Sequence, residues 1–357
     1  MLRKQTGLVC LCLLAAGIFN IQNVHAQELP HLEEEILPEL RISADIDIPE
    51  EFADSMAETV KIKRKTFTAE QAMDILWDGK TTKEKSVDDG YEAADIGEYE
   101  IATFYGEDDS FMDVGGPHLI FYESLYNNLA NAVKTNPLTN EYNLDQFTAE
   151  DLSFMTRDEC IGNVMSLLSQ LGVTVSPDIH CYALDSETLQ KEEIVVDING
   201  ERHREQEKGI WTSEDECYYI QFIQEFNGVP VFADGYGDYV AGNGFPQTNI
   251  EVIYGAKGLI YLNIASVYET LDGTEKSETI QTLDDLKEQL KKKYDLLISN
   301  GQDQITDIKM QYLPCDSGNY ESMFIPAWIL QMERPLEGMD DYVTTMIFNA
   351  ITGKELF

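Results

Sequence analysis

The chain has 357 residues, of which 65 are acidic and 25 basic, giving a formal charge of −40 at neutral pH. A surface of that sign repels phosphate and excludes nucleic acid as a partner, while keeping the protein soluble. The length allows two or three modest hydrophobic cores.

The first 26 residues read as an export signal. Arg3 and Lys4 precede an apolar run over residues 8–19, and Val24-His25-Ala26 supplies the residues a signal peptidase recognises, so cleavage is expected after Ala26. The run is too short to span a bilayer comfortably, and no later stretch is long enough. The expected product is secreted or extracytoplasmic, with no transmembrane segment.

Residues 27–39 are acidic and broken by proline, and read as a mobile leader. Leu40, Ile42, Ala44, Ile46 and Ile48 then alternate with polar residues, the pattern of a strand with one buried face. A second extended piece over residues 59–67 leads to Thr68, which can cap a short helix ended by Gly79. Residues 80–97 are polar and charged and read as a surface loop. Strands are expected over residues 99–105 and 119–122, the latter alternatively opening a helix. The polar, Pro-containing tract 134–143 is the best boundary in the chain.

Thr156 and Glu159 form a capping box before a helix whose stripe is Cys160, Val164, Leu167, Leu168 and Leu171, with Gly172 as its stop. A strand over 179–184 follows. From Tyr218 the chain alternates again through Ile220, Phe222 and Phe226 to the turn Asn227-Gly228, and Val229-Pro230-Val231-Phe232 leaves it as an edge piece. Residues 250–254 and 259–267 are the next strands. The same order then repeats: Thr282 and Asp285 cap a helix with the stripe Leu283, Leu286, Leu290, Tyr294 and Leu297, followed by strands over 305–313, 324–332 and 342–357.

These segments resemble a known family. Gln224 to Phe232, QEFNGVPVF, is similar to the strand and turn of thermolysin-type peptidase propeptides. FNAITGKEL near the C-terminus is similar to the closing signature of PepSY domains, with Asn349 where aspartate is common. The tandem arrangement resembles extracytoplasmic YycH/YycI-type regulators of a bacterial sensor kinase. The segments read as an α+β fold of tandem helix-plus-antiparallel-sheet units, PepSY-like by the resemblance, after a strand-rich N-terminal domain to which the resemblance does not extend. The corresponding divisions are 1–26 signal peptide, 27–145 N-terminal domain, 146–272 first unit and 273–357 second unit. The resemblance implies a non-catalytic regulator acting by protein contact on an envelope or secreted protein.

No catalytic, cofactor or metal residue is assigned. The histidines beyond the signal, His31, His118, His180 and His203, form no His-Glu-x-x-His pair. Cys160, Cys181, Cys217 and Cys315 allow three disulfide patterns or none. His180-Cys181 with Cys315-Asp316-Ser317-Gly318 lacks the glycines of an oxyanion hole. A secreted hydrolase using the loop carboxylates Glu107-Asp108-Asp109 and Asp340-Asp341 is the alternative. The expected partner-binding surface is the turn Asn227-Gly228, the strand residues Val229, Val231 and Phe232, and the loop tyrosines Tyr236 and Tyr239, because an edge strand has unpaired backbone groups and tyrosines make good anchors.

Overall fold

Two capping boxes open the two longest helices among the described residues. Thr156 accepts a hydrogen bond from the Glu159 N–H while the Glu159 carboxylate accepts from the Thr156 N–H, and Thr282 and Asp285 do the same. The computed structural model describes residues 29–52, 54–136, 141–147, 151–197, 201–235, 245–295, 302–316, 322–335 and 342–356. In order its elements are β1 (His31–Leu37), β2 (Leu40–Asp47), β3 (Met56–Arg64), α1 (Ala69–Leu76), β4 (Thr82–Ala93), β5 (Gly97–Gly106), β6 (Phe111–Gly115) and β7 (His118–Tyr122). Then come α2 (Ser124–Ala132), β8 (Thr135–Asn136), β9 (Glu141–Tyr142), α3 (Arg157–Gln170), β10 (Val175–Leu184), α4 (Ser186–Glu192), β11 (Cys217–Phe226), β12 (Val229–Pro230), β13 (Asn249–Gly255) and β14 (Gly258–Ala265). The chain continues through β15 (Tyr268–Thr270), β16 (Lys276–Thr279), α5 (Leu283–Tyr294), β17 (Asp303–Asp316), β18 (Ser322–Arg334) and β19 (Tyr342–Asn349).

Strand dominates, and it is gathered into two large sheets. A nine-stranded sheet is built from the middle of the chain in the order β10-β11-β13-β14-β7-β6-β5-β4, with β12 against β11. An eight-stranded sheet joins the two ends of the chain in the order β1-β2-β17-β18-β3-β15, with β16 against β3 and β19 against β18. Its β2–β17 pairing is parallel, and the other pairings between described strands are antiparallel.

This architecture corrects the expected fold class. Helices α3 and α5 are each followed by antiparallel strands, but neither set stands as a separate helix-plus-sheet unit. β14 continues across the expected first boundary into β7, Leu262 facing Phe121, and β18 pairs with β3, Phe324 facing Val60. Two further readings change. The acidic stretch around Glu33 is β1, paired with β2, and the polar stretch read as a loop is β4, paired with β5.

Away from its edge strand β4, the nine-stranded sheet is buried on both faces. One face packs Phe104, Phe121, Tyr218, Ile220, Val252 and Leu262 against Cys160, Val164 and Leu168 of α3 and Ala72 and Leu76 of α1. The other packs Tyr219, Ile253 and Tyr261 against Leu129 of α2, Leu189 of α4 and Trp211. Along that second face a row of facing residues crosses the strands from Tyr182 through Tyr219, Ile253, Tyr261, Tyr122 and Phe111 to Tyr105, aromatic except at β13. Cross-strand aromatic pairs of this kind stabilise a sheet and its register. In the eight-stranded sheet the core is closed by α5, whose Leu286, Leu290 and Tyr294 are buried with Ile42, Ile305, Trp328 and Met346.

Candidate functional site

The turn Asn227-Gly228 sits where the two sheets meet. β11 is fixed on one side by the Tyr218 hydroxyl, which accepts from the Leu152 N–H at 2.7 Å and donates to the Met155 carbonyl at 2.9 Å. At its end Asn227 has φ +50° and Gly228 φ +80°, two consecutive left-handed residues that reverse the strand tightly. A Cβ at 228 would stand 2.6 Å from a Glu51 carboxylate oxygen, the far end of an exposed side chain that can swing aside, so it is the positive φ that calls for glycine there. The Asn227 side-chain amide donates to Glu58 at 2.9 Å.

After the turn the chain passes from one sheet to the other. Val229 and Val231 are fully buried in the core of the eight-stranded sheet, and Phe232 packs on Leu313, Ile325 and Ala327. Val231 forms a parallel bridge with Tyr312, and the Phe232 N–H donates to the Tyr312 carbonyl at 2.8 Å. The Phe226 ring lies 4.9 Å from Tyr312 and 5.5 Å from Phe324. The piece read as a free edge is therefore a joint, since β17 takes up hydrogen bonds that would have met a partner. Asn227 and Gly228 stay exposed. Tyr236 and Tyr239 lie outside the described residues.

Beside the turn opens a cleft of about 300 Å³ lined by Glu51, Phe52, Met56, Ala57, Glu58, Asn227, Ser277 and Tyr312. Phe52, Ala57 and Tyr312 are buried and make its apolar floor, with the Phe52 and Tyr312 rings edge to face at 5.5 Å. Glu51 and Glu58 are exposed and make an acidic rim. Burial pushes the Tyr312 hydroxyl up to about 12; a backbone hydrogen bond from Glu58 opposes the shift and the Glu58 and Glu51 carboxylates add to it.

Because that value lies above the ordinary 10.0, the neutral phenol is favoured by folding. Its contribution is complete below pH 10 and is lost as pH rises towards about 12. Tyr312→Phe is accordingly expected to lose about 2 kcal/mol less stability than wild type across that window, read by urea denaturation at its two ends.

The other sequence candidates do not converge. Asp108 accepts from the Ser110 hydroxyl at 2.5 Å and from Lys80 at 2.9 Å, contacts that hold its carboxyl down to about 2 and unfit it as a proton donor at neutral pH. Asp340, Asp341, Ser317 and Gly318 lie outside the described residues. None of the four described cysteines is in a disulfide, and burial pushes Cys160 and Cys181 up to about 12, so neither of these two is an activated nucleophile. Among the described residues no group of three His, Cys, Asp or Glu is placed to hold a metal ion, and no helix is long and apolar enough to cross a membrane. Sequence reasoning missed Glu51, Glu58 and Tyr312: the alternation of β3 and β17 is the only local signal at Glu58 and Tyr312, and Glu51 lies in a short turn, Glu50–Phe52, that carries none.

No family model matches the chain, and no curated protein matches it. In structure it is similar to an uncharacterised protein from Eubacterium rectale ATCC 33656 known from a crystal structure, with a TM-score of 0.64 and 14% identity, covering 91% of this chain and 92% of that one. At that identity the likeness is one of fold.

Proposed function

We propose that the protein is an exported, non-catalytic binding protein that regulates a protein of the cell envelope, holding a basic segment of it at the cleft beside Asn227. The observation that carries the reading is the cleft's construction: an aromatic and apolar floor beneath Glu51 and Glu58, which suits the alkyl stem and cationic head of lysine or arginine. The export signal expected from residues 1–26 is in keeping with the same reading.

A photoreactive residue replacing Ser277, on the cleft wall, should crosslink a partner in the producing cell's envelope. The double variant Glu51→Lys, Glu58→Lys should lose that product while keeping its fold, because two like charges then face the cation. Undiminished crosslinking by the double variant, or turnover of peptide or glycan substrates by the purified protein, would refute the proposal.

A further inference from the structure

β4 ends the nine-stranded sheet. It pairs with β5, and among the described residues no strand lies on its other side. Every residue from Thr82 to Glu92 is exposed. Such an edge presents a row of unpaired N–H and C=O groups ready to accept another strand. The middle of β4 is regular, in unbroken register with β5 from Glu84 facing Tyr105 to Asp88 facing Ile101. It also carries exposed apolar surface: Val87 is 49% exposed, Tyr91 41% and the neighbouring Tyr105 44%.

The charges along this edge are divided. Lys83 and Lys85, with Glu84 between them, lie in the first half, and Asp88, Asp89 and Glu92 in the second. A strand with a basic start and an acidic end is complementary to itself when run antiparallel. We propose that β4 pairs with β4 of a second copy of this chain about a two-fold axis at Val87, making one continuous sheet of the two nine-stranded ones.

In that register Ser86 of each copy faces Asp88 of the other, Val87 faces itself, and Lys85 reaches Asp89, where the bulge ends the regular pairing. The two-fold makes every unlike contact twice. Neighbouring two-fold registers are worse. An axis at Ser86 sets Glu84 against Asp88, and one at Asp88 sets Asp88 against itself. Opposite charges directly across a strand pair stabilise it and like charges oppose it, so charge selects the register. The bulge that shifts register between Asp88 and Tyr91 limits the flat part of the edge, and a lysine-bearing edge resists indiscriminate pairing. The self-pairing arrangement is one in which Lys85 finds a carboxylate.

The test uses the purified full chain in sedimentation velocity from dilute to near-millimolar concentration. Wild type is expected to show a monomer–dimer equilibrium. Lys85→Asp alone sets two acidic residues opposite each other at both ends of the pairing, and Asp89→Lys alone sets two basic ones, so each should weaken the dimer by about tenfold. Mixing the two variants should restore it, since one copy then carries carboxylates at both positions and the other carries ammonium groups at both, making each facing pair unlike. Unchanged circular dichroism and denaturation midpoints exclude misfolding as the cause. Wild type that stays monomeric throughout would leave this edge to a different chain and overturn the proposal, and so would a dimer that either single substitution leaves intact or a mixture that fails to recover.

Discussion

Leu290→Asp is expected to cost more than about 5 kcal/mol and to leave the chain largely unfolded at room temperature. Leu290 is the middle residue of the α5 stripe, with Leu286 one turn before and Tyr294 one turn after, and its side chain is completely buried in the core of the eight-stranded sheet. Losing a buried leucine costs about 2–5 kcal/mol through lost transfer energy and the cavity left behind. A carboxylate in that cavity adds several kcal/mol more unless it takes up a proton. Leu290→Ala separates the two contributions and should lose about 3 kcal/mol in urea denaturation. Lys292→Asp, on the exposed side of the same helix, should lose less than about 1 kcal/mol, mostly through the unfavourable charge near the helix C-terminus. If Leu290→Asp behaves like Lys292→Asp, α5 does not close that core.

Leu290 was legible in the sequence because its signal is local. A capping box and an apolar stripe are written within a dozen residues, and the same holds for α3 and for the Asn227-Gly228 turn. β1 and β4 were not legible for the opposite reason. β4 is solvated along nearly its whole length, so no alternation between buried and exposed positions marks it, and its lysines, aspartates and glycine have the composition of a loop. The gathering of strands into sheets was hidden more deeply. The pairing of β7 with β14 joins residues some 140 apart, and that of β3 with β18 joins the two ends of the chain. No local pattern encodes either. The error at Val229-Pro230-Val231 is of the same kind: proline correctly marked a short piece at the margin of its own sheet, while the strand that covers it, β17, comes some 80 residues later.

Arg334→Met is expected to destabilise the protein by about 3 kcal/mol at neutral pH, by a mechanism the sequence conceals among 65 acidic residues. Asp303 opens β17 with its side chain 0% exposed. Its two oxygens accept from Arg334 at 2.6 and 2.7 Å, and one also accepts from the Tyr294 hydroxyl at 2.7 Å. The last residue of α5, the first of β17 and the last of β18 are thus tied at one point, with the Asp303 N–H donating to Glu39 beside them at 2.8 Å.

Burial by itself would raise the Asp303 carboxyl, but the Arg334 fork and the Tyr294 hydrogen bond outweigh it and hold the group below its ordinary 3.8. Its contribution is therefore present above about pH 4 and is lost as pH falls through the lowered value. Methionine keeps most of the arginine stem's packing and removes the fork, leaving a buried carboxylate with the tyrosine as its remaining side-chain donor. Breaking a buried pair from one side typically costs about 3–5 kcal/mol, and the 39% exposure of Arg334 places this case at the low end. The loss should shrink as pH falls, because without the fork burial raises the Asp303 carboxyl, so that it takes up a proton in the variant at a higher pH than in wild type and the charge no longer needs a partner. Asp303→Asn combined with Arg334→Met should recover part of it at neutral pH, because the double variant buries an amide instead of an unpaired charge. Urea denaturation of the three proteins at neutral and acid pH separates the outcomes: a loss at Arg334→Met that is independent of pH, and unrelieved in the double variant, would assign the effect to lost arginine packing instead of to the buried carboxylate.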